Sequence, residues 1–185
     1  GSIVSGPAIG CPGWYGYAMN SVLVRGAESG DLPALTDLYN HYVKTSPATF
    51  DLEPASLESR RQWMSRYAYT GPHRLLVAMD GGALVGYATS GKLREKPGYL
   101  TSVETTVYVN PDRHARGVGT SLYTALFAAL ANEDVHRAYA VIVLPNAASI
   151  ALHARFGFVP VGIHREVGRK FGRYWDVQWF ERPFP

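Results

Sequence analysis

One stretch constrains this chain more than any other: residues 101–132 run from a β-branched segment through a stop signal and a glycine loop into an apolar helix. Thr101–Val109 reads as a strand, because Thr, Val and Tyr follow one another without a helical period. Asn110-Pro111-Asp112 ends it. Gly117–Asn132 then carries Leu122, Leu126, Ala129 and Leu130 on one side, as a helix would. Between the two lies His114-Ala115-Arg116-Gly117-Val118-Gly119-Thr120-Ser121. Glycines let successive N–H groups turn toward one concavity, and a helix start adds partial positive charge, so this loop suits a pyrophosphate. Arg113 and Arg116 can add charge-assisted contacts. The loop is neither a Walker loop nor a Gly-x-Gly-x-x-Gly turn. Taken alone, it reads equally well as a ligand-free turn from strand to helix.

The rest of the chain alternates in the same way. Val22–Arg25 reads as a strand, and a helix runs from Leu32 to near Lys44. Pro54-Ala55-Ser56 opens a second helix carrying Leu57, Trp63, Met64 and Tyr67, closed at Gly71-Pro72. Leu75–Met79 and Ala83–Ser90 form a hairpin about Asp80-Gly81-Gly82. Strands are expected at Ala138–Leu144, Phe158–His164 and Trp175–Phe184, with a short helix over Ala147–Arg155. The order is β-α-α-β-β-β-α-β-α-β-β. Strand–helix alternation implies some parallel pairing and the hairpin implies antiparallel pairing, so an α/β fold with a mixed sheet and helices on both faces follows.

Composition narrows the function classes. The 185 residues fit one domain, expected over 21–185, and no charge occurs before Arg25. Residues 1–20, rich in glycine with Cys11, Trp14, Tyr15 and Tyr17, are expected to be a disordered tail or an expression-derived segment. Eighteen basic against 15 acidic residues leave a net charge of +3, without the dense basic run that a nucleic-acid partner needs. No apolar run is long enough for a membrane span. The lone Cys11 excludes an internal disulfide framework, and His73, His136 and His164 have no metal-ligand spacing, so no metal is expected. With no export signal, the chain is expected in the cytoplasm.

Several motifs converge. Val107-Tyr108-Val109, Arg116-Gly117-Val118-Gly119, Leu144-Pro145-Asn146-Ala147-Ala148-Ser149 and Leu152-His153-Ala154-Arg155-Phe156-Gly157-Phe158 together resemble the GNAT N-acetyltransferases. Asn40-His41-Tyr42, Thr45-Ser46, Phe50, Glu53-Pro54 and Glu104-Thr105-Thr106 make the sequence similar to the phosphinothricin and methionine sulfoximine acetyltransferases within that superfamily. The likeness covers Val22 to Pro185. It implies a GNAT fold whose central strands splay apart to take acetyl-CoA as cosubstrate. Val107, Tyr108 and Val109 would then hold the pantetheine arm, together with Asn146 and Ser149. The loop from His114 to Ser121 would hold the pyrophosphate. His114 departs from the Gln or Arg usual at the loop's start, which touches the side-chain contribution but not the backbone one.

The resemblance also implies the chemistry. Glu104, a carboxylate in a strand expected to be buried, would be the general base, since burial raises a carboxylate's pKa toward neutrality. Paired with an arginine, it would instead be structural. His153 would donate a proton to the departing thiolate or share the base role, unless it simply packs beside Phe156. Arg94, Lys96 and Tyr99 match a pattern that grips the acids of an amino-acid-like acceptor, with Phe50 as an apolar wall. The implied assembly is a homodimer, with the aromatic strand Trp175–Phe184 contributing contact. Two alternatives stand beside this reading: a protein, peptide or other amine N-acetyltransferase, and a non-catalytic acyl-CoA-binding sensor.

Overall fold

Residues 22–112 and 117–184 are described by the computed structural model. The expected 1–20 tail and the loop residues His114, Ala115 and Arg116 lie outside them. Among the described residues seven strands share one sheet: β1 (Val22–Gly26), β2 (Arg74–Asp80), β3 (Ala83–Lys92), β4 (Ser102–Val109), β5 (Arg137–Val143), β6 (Val159–Lys170) and β7 (Arg173–Pro183). Their spatial order is β1-β2-β3-β4-β5-β7-β6. The helices are α1 (Leu32–Thr45), α2 (Leu57–Met64), α3 (Val118–Leu130) and α4 (Ala147–Arg155). The element order is the one read from the sequence.

Alternation along β2 explains the layers. Leu76 and Ala78 turn to one face and join Leu122, Tyr123 and Leu126 of α3; Leu75 and Val77 turn to the other and join Leu35 and Leu38 of α1. Trp63, Met64 and Tyr67 pack on that second face, while Ile150 and Leu152 of α4 pack on the first. Helices therefore cover both faces. The β2–β3 hairpin turns at Gly81 and Gly82, at φ 54° and 81°, a left-handed pair that only glycine adopts without strain.

Two boundaries differ from the sequence reading by more than two residues. β6 continues to Lys170, six residues beyond His164, and meets β7 across Phe171-Gly172. It is an edge strand, exposed along most of its length, so residues 164–170 lack the apolar alternation that marks a half-buried strand. α2 ends at Met64, so Tyr67 packs from the turn that follows. β7 lies between β5 and β6 inside the sheet.

The only parallel pair among the described strands, β4–β5, is short. It holds register from Ser102–Arg137 to Glu104–Tyr139, and no further. Beyond that point the strands separate, while β4 stays paired with β3 as far as Val109.

Candidate active site

The separation leaves the second half of β4 without a ladder partner on its β5 side. Asn110 N–H donates to the Val85 carbonyl at 2.8 Å, which fixes the alternation: even-numbered residues of β4 bond toward β3 and odd-numbered ones turn toward β5. Val107 and Val109 thus direct their amides into a gap where the β5 ladder has already ended. The gap is a cavity of about 240 Å³, walled by Thr105–Val109, Val141–Val143 and the start of α4. Tyr42 closes one side and donates its hydroxyl to the Val109 carbonyl at 2.6 Å. An extended chain could add there as a strand would.

α3 begins at the end of β4. Gly117 caps it at φ 86°, and Ser121 N–H is the first to find an intrahelical carbonyl, that of Gly117 at 2.8 Å. The N–H groups of Val118, Gly119 and Thr120 precede it at the positive end of the helix, with no acceptor among the described residues. A Cβ on Gly119 would come 3.0 Å from Leu152 Cδ2, so glycine also lets α3 lie close against α4. Strand amides without a ladder partner, followed by a helix start, fit the thioester arm and pyrophosphate of acetyl-CoA.

α4 lines the same cavity. Asn146 caps it: Oδ1 accepts from Ser149 N–H at 3.1 Å, which leaves the amide nitrogen as a donor. His153 is buried, and both ring nitrogens are engaged. Nδ1 lies 2.7 Å from the Ser149 carbonyl, which can only accept, so Nδ1 carries the proton. Nε2, 2.8 Å away, then accepts from the Tyr123 hydroxyl. Burial lowers the His153 pKa, so the ring is neutral and saturated near pH 7.

Glu104 faces the other side of the sheet. It lines a cavity of about 700 Å³ together with Arg66, Tyr67, Lys92 and Glu95. Burial raises its pKa above the ordinary 4.5, and the nearby Arg94 charge partly opposes this. Among the described residues it makes no ion pair, so it is not the arginine-paired glutamate of the structural reading. Its neighbour on β3 is Gly91, whose missing side chain leaves room above the carboxylate. A second cavity, about 360 Å³, adjoins the first through shared walls at Trp63, Arg66, Tyr67, Thr89 and Thr106. Thr106 also lines the β4–β5 gap, so this one residue borders all three spaces.

The expected acceptor residues are not gathered there. Arg94, Lys96 and Tyr99 are exposed on the β3–β4 connection, and neither they nor Phe50 lines either Glu104-side cavity. Phe50 packs instead on Gly168 of β6, occupying the space a side chain there would need. Its loop is tied down at several points. Lys170 Nζ donates to the carbonyls of Ser46 and Thr49 at 2.9 and 2.7 Å, Tyr39 donates to Asp51 at 2.6 Å, and Asn40 bridges both backbone groups of Ala55.

Arg60, Arg66, Tyr67 and Lys92 wall the cavities, yet sequence reasoning gave them no role in the site. The Arg60–Trp63 spacing of i,i+3 was the available signal, since it stacks a guanidinium on an indole. Among the described residues no cluster of three or more His, Cys, Asp or Glu could hold a metal ion. No helix there is long and apolar enough to cross a membrane.

Residues 24–179 match the family model described as an acetyltransferase (GNAT) domain. A phosphinothricin N-acetyltransferase of Streptomyces coelicolor is 60% identical over 164 residues, 88% of this chain and 96% of that protein. An L-methionine sulfoximine/L-methionine sulfone acetyltransferase of Pseudomonas paraeruginosa is 36% identical, covering 87% of this chain and 94% of its own length. The solved structure of a phosphinothricin acetyltransferase from Sinorhizobium meliloti, in complex with acetyl-CoA, superposes with a TM-score of 0.83 at 29% identity over 89% of each chain.

Proposed function

The chain belongs to the GNAT acetyltransferase family and is an acetyl-CoA-dependent N-acetyltransferase, and we propose that its acceptor is a small amino acid of the phosphinothricin or methionine sulfoximine kind. The observation that carries this is the position of Thr106. It borders the gap that suits the cosubstrate, the cavity that holds Glu104 and the smaller cavity beside it, so two ligands entering from opposite faces of the sheet would meet at one residue.

Acetyl-CoA supplies the acetyl group as an activated thioester. The open amides of Val107 and Val109 would align its arm, and an N–H there would polarise the thioester carbonyl. Val118, Gly119 and Thr120 would receive phosphate oxygens, with Ser121, Tyr108, Ser149 and the Asn146 amide nitrogen as further contacts. An amine attacks only when neutral, so Glu104 would accept the ammonium proton; its raised pKa suits the task. We read His153 as the post that fixes α4 against the cavity wall, because both ring nitrogens are already committed. The segment 91–95 carries Lys92 and Glu95 into the cavity wall, and Arg94, Lys96 and Tyr99 continue it as a basic rim that an acidic acceptor would meet on entry. Phe50 would steady the neighbouring loop.

The same reading includes a homodimer in the cytoplasm, where acetyl-CoA is available. The edge strand β6 leaves Val159, Val161, Ile163 and Val167 between 42% and 58% exposed, so β6 rather than the internal β7 offers the apolar contact. Sedimentation at the monomer mass would overturn the dimer.

Thiol release from acetyl-CoA, measured across phosphinothricin, methionine sulfoximine, methionine sulfone, ordinary amino acids and peptide N-termini, tests the acceptor. The expected result is the highest kcat/KM for the first three. Higher kcat/KM for peptides would favour a protein or peptide acceptor instead.

A further inference from the structure

Arg60 does not behave like a structural arginine. It is only 5% exposed, with its guanidinium carbon 3.5 Å from the centre of the Trp63 ring and 4.3 Å from that of Tyr39. Aromatic rings cover the faces of a guanidinium, whereas its N–H bonds point outward in its own plane. That edge is unpaired: Nε and Nη2 are buried, and neither finds an acceptor among the described residues. Arg74, equally buried, shows the usual solution, with the Glu133 carboxylate and the Gly71 carbonyl as its partners. Buried donors without acceptors are costly and rare in folded proteins. Arg60 lines the smaller acceptor-side cavity, Glu104 lines the larger, and Thr106 is common to both.

We infer that Arg60 is the receptor for the acceptor's oxyanion, a carboxylate or phosphinate gripped by the guanidinium edge while the amine lies toward Glu104. This rests on the small-amino-acid reading above and names the residue that would enforce it. A planar fork presents two parallel donors to a two-oxygen anion, and an amine lacking that anion would leave the buried fork unpaired. The stacked rings hold the fork in place before the acceptor arrives.

The test compares wild type with Arg60→Gln and Arg60→Lys on three acceptors. Phosphinothricin carries both anions, methionine sulfone carries the carboxylate alone, and methionine sulfone amide carries neither. Arg60→Gln should lower kcat/KM about ten- to a hundredfold for the acidic acceptors, mainly through KM, and leave the amide unchanged. Arg60→Lys should lie between. Loss on both acids identifies the carboxylate, and loss on phosphinothricin alone the phosphinate. Equal loss on all three, the amide included, means a packing role and overturns the inference.

A second measurement does not depend on turnover. In arginine-labelled protein, the Nε–H resonance missing from Arg60→Lys should move on adding phosphinothricin and stay still on adding acetyl-CoA. Turnover of phosphinothricin without that movement defeats the inference and spares the acceptor reading. Movement without turnover supports the inference and defeats the acceptor reading. Neither turnover nor movement defeats both.

Discussion

Replacing Glu104 by Gln removes one ionisation and almost no volume. The amide keeps the shape of the carboxylate, so the cavity it lines with Arg66 and Lys92 stays open and both ligands should bind as before. What disappears is the proton acceptor. General-base catalysis contributes roughly a hundred- to ten-thousandfold, or about 3–5 kcal/mol of the barrier, and kcat should fall by that factor with KM for acetyl-CoA unchanged. Raising the pH should partly rescue the variant, because the neutral fraction of the acceptor grows about tenfold per unit below the amine's own pKa. Stability moves the opposite way to activity. Burial holds the Glu104 pKa above 4.5 in the folded protein. Between 4.5 and that raised value the folded chain keeps a proton the unfolded chain has released. Stability therefore falls as pH rises through this window and stays lower above it. Glu104→Gln should raise the melting temperature at neutral pH, with the gain shrinking as pH is lowered toward 4.5. Thiol release and thermal melts recorded over the same pH range read both effects. A variant that keeps kcat within about threefold of wild type across that range would refute the base assignment.

Other perturbations separate the remaining roles. Arg94→Ala removes the cation that holds the Glu104 pKa down, so the acidic limb of the kcat/KM profile should shift to higher pH; an unmoved limb would disconnect the pair. Asn146→Asp keeps an N-cap oxygen for Ser149 N–H but loses the amide donor, so acetyl-CoA affinity should fall with little change in melting temperature. Asn146→Ala should lose both, at about 1 kcal/mol in stability. His153→Ala should lower the melting temperature, because Tyr123 and the Ser149 carbonyl lose their partner, while both limbs of the pH–rate profile remain; a vanished limb would restore His153 as a proton donor.

Much of this arrangement was legible in the chain. The strand Thr101–Val109 and the helix after Gly117 carry strong local signals, and their succession located the β4–α3 junction to within two residues. Glu104 stood out because a carboxylate in a β-branched run is unusual. The rest depends on contacts that no local pattern encodes. β6 is longer than its apolar part because its outer half is largely exposed and is held to β7 by the backbone ladder and by polar side chains, Asp176 accepting from Arg165 and from the Glu166 N–H. Arg60 sits on what reads as the polar face of α2, and only the meeting of α1 and α2 buries it between Tyr39 and Trp63. Arg94, Lys96 and Tyr99 follow a recognisable pattern, yet their side chains lie on an exposed connection rather than in the Glu104 cavity.

Cosubstrate and acceptor would occupy opposite faces of the sheet and meet at Thr106. A crystal structure with a bisubstrate analogue, in which phosphinothricin is joined through its amine to an acetyl-CoA-derived thioether, tests this arrangement. The pantetheine arm should lie along Val107 and Val109, the junction beside Thr106, and the amino-acid half in the cavity of Glu104 with its anion toward Arg60. An amino-acid half lying on Arg94, Lys96 and Tyr99, with that cavity filled only by water, would contradict it.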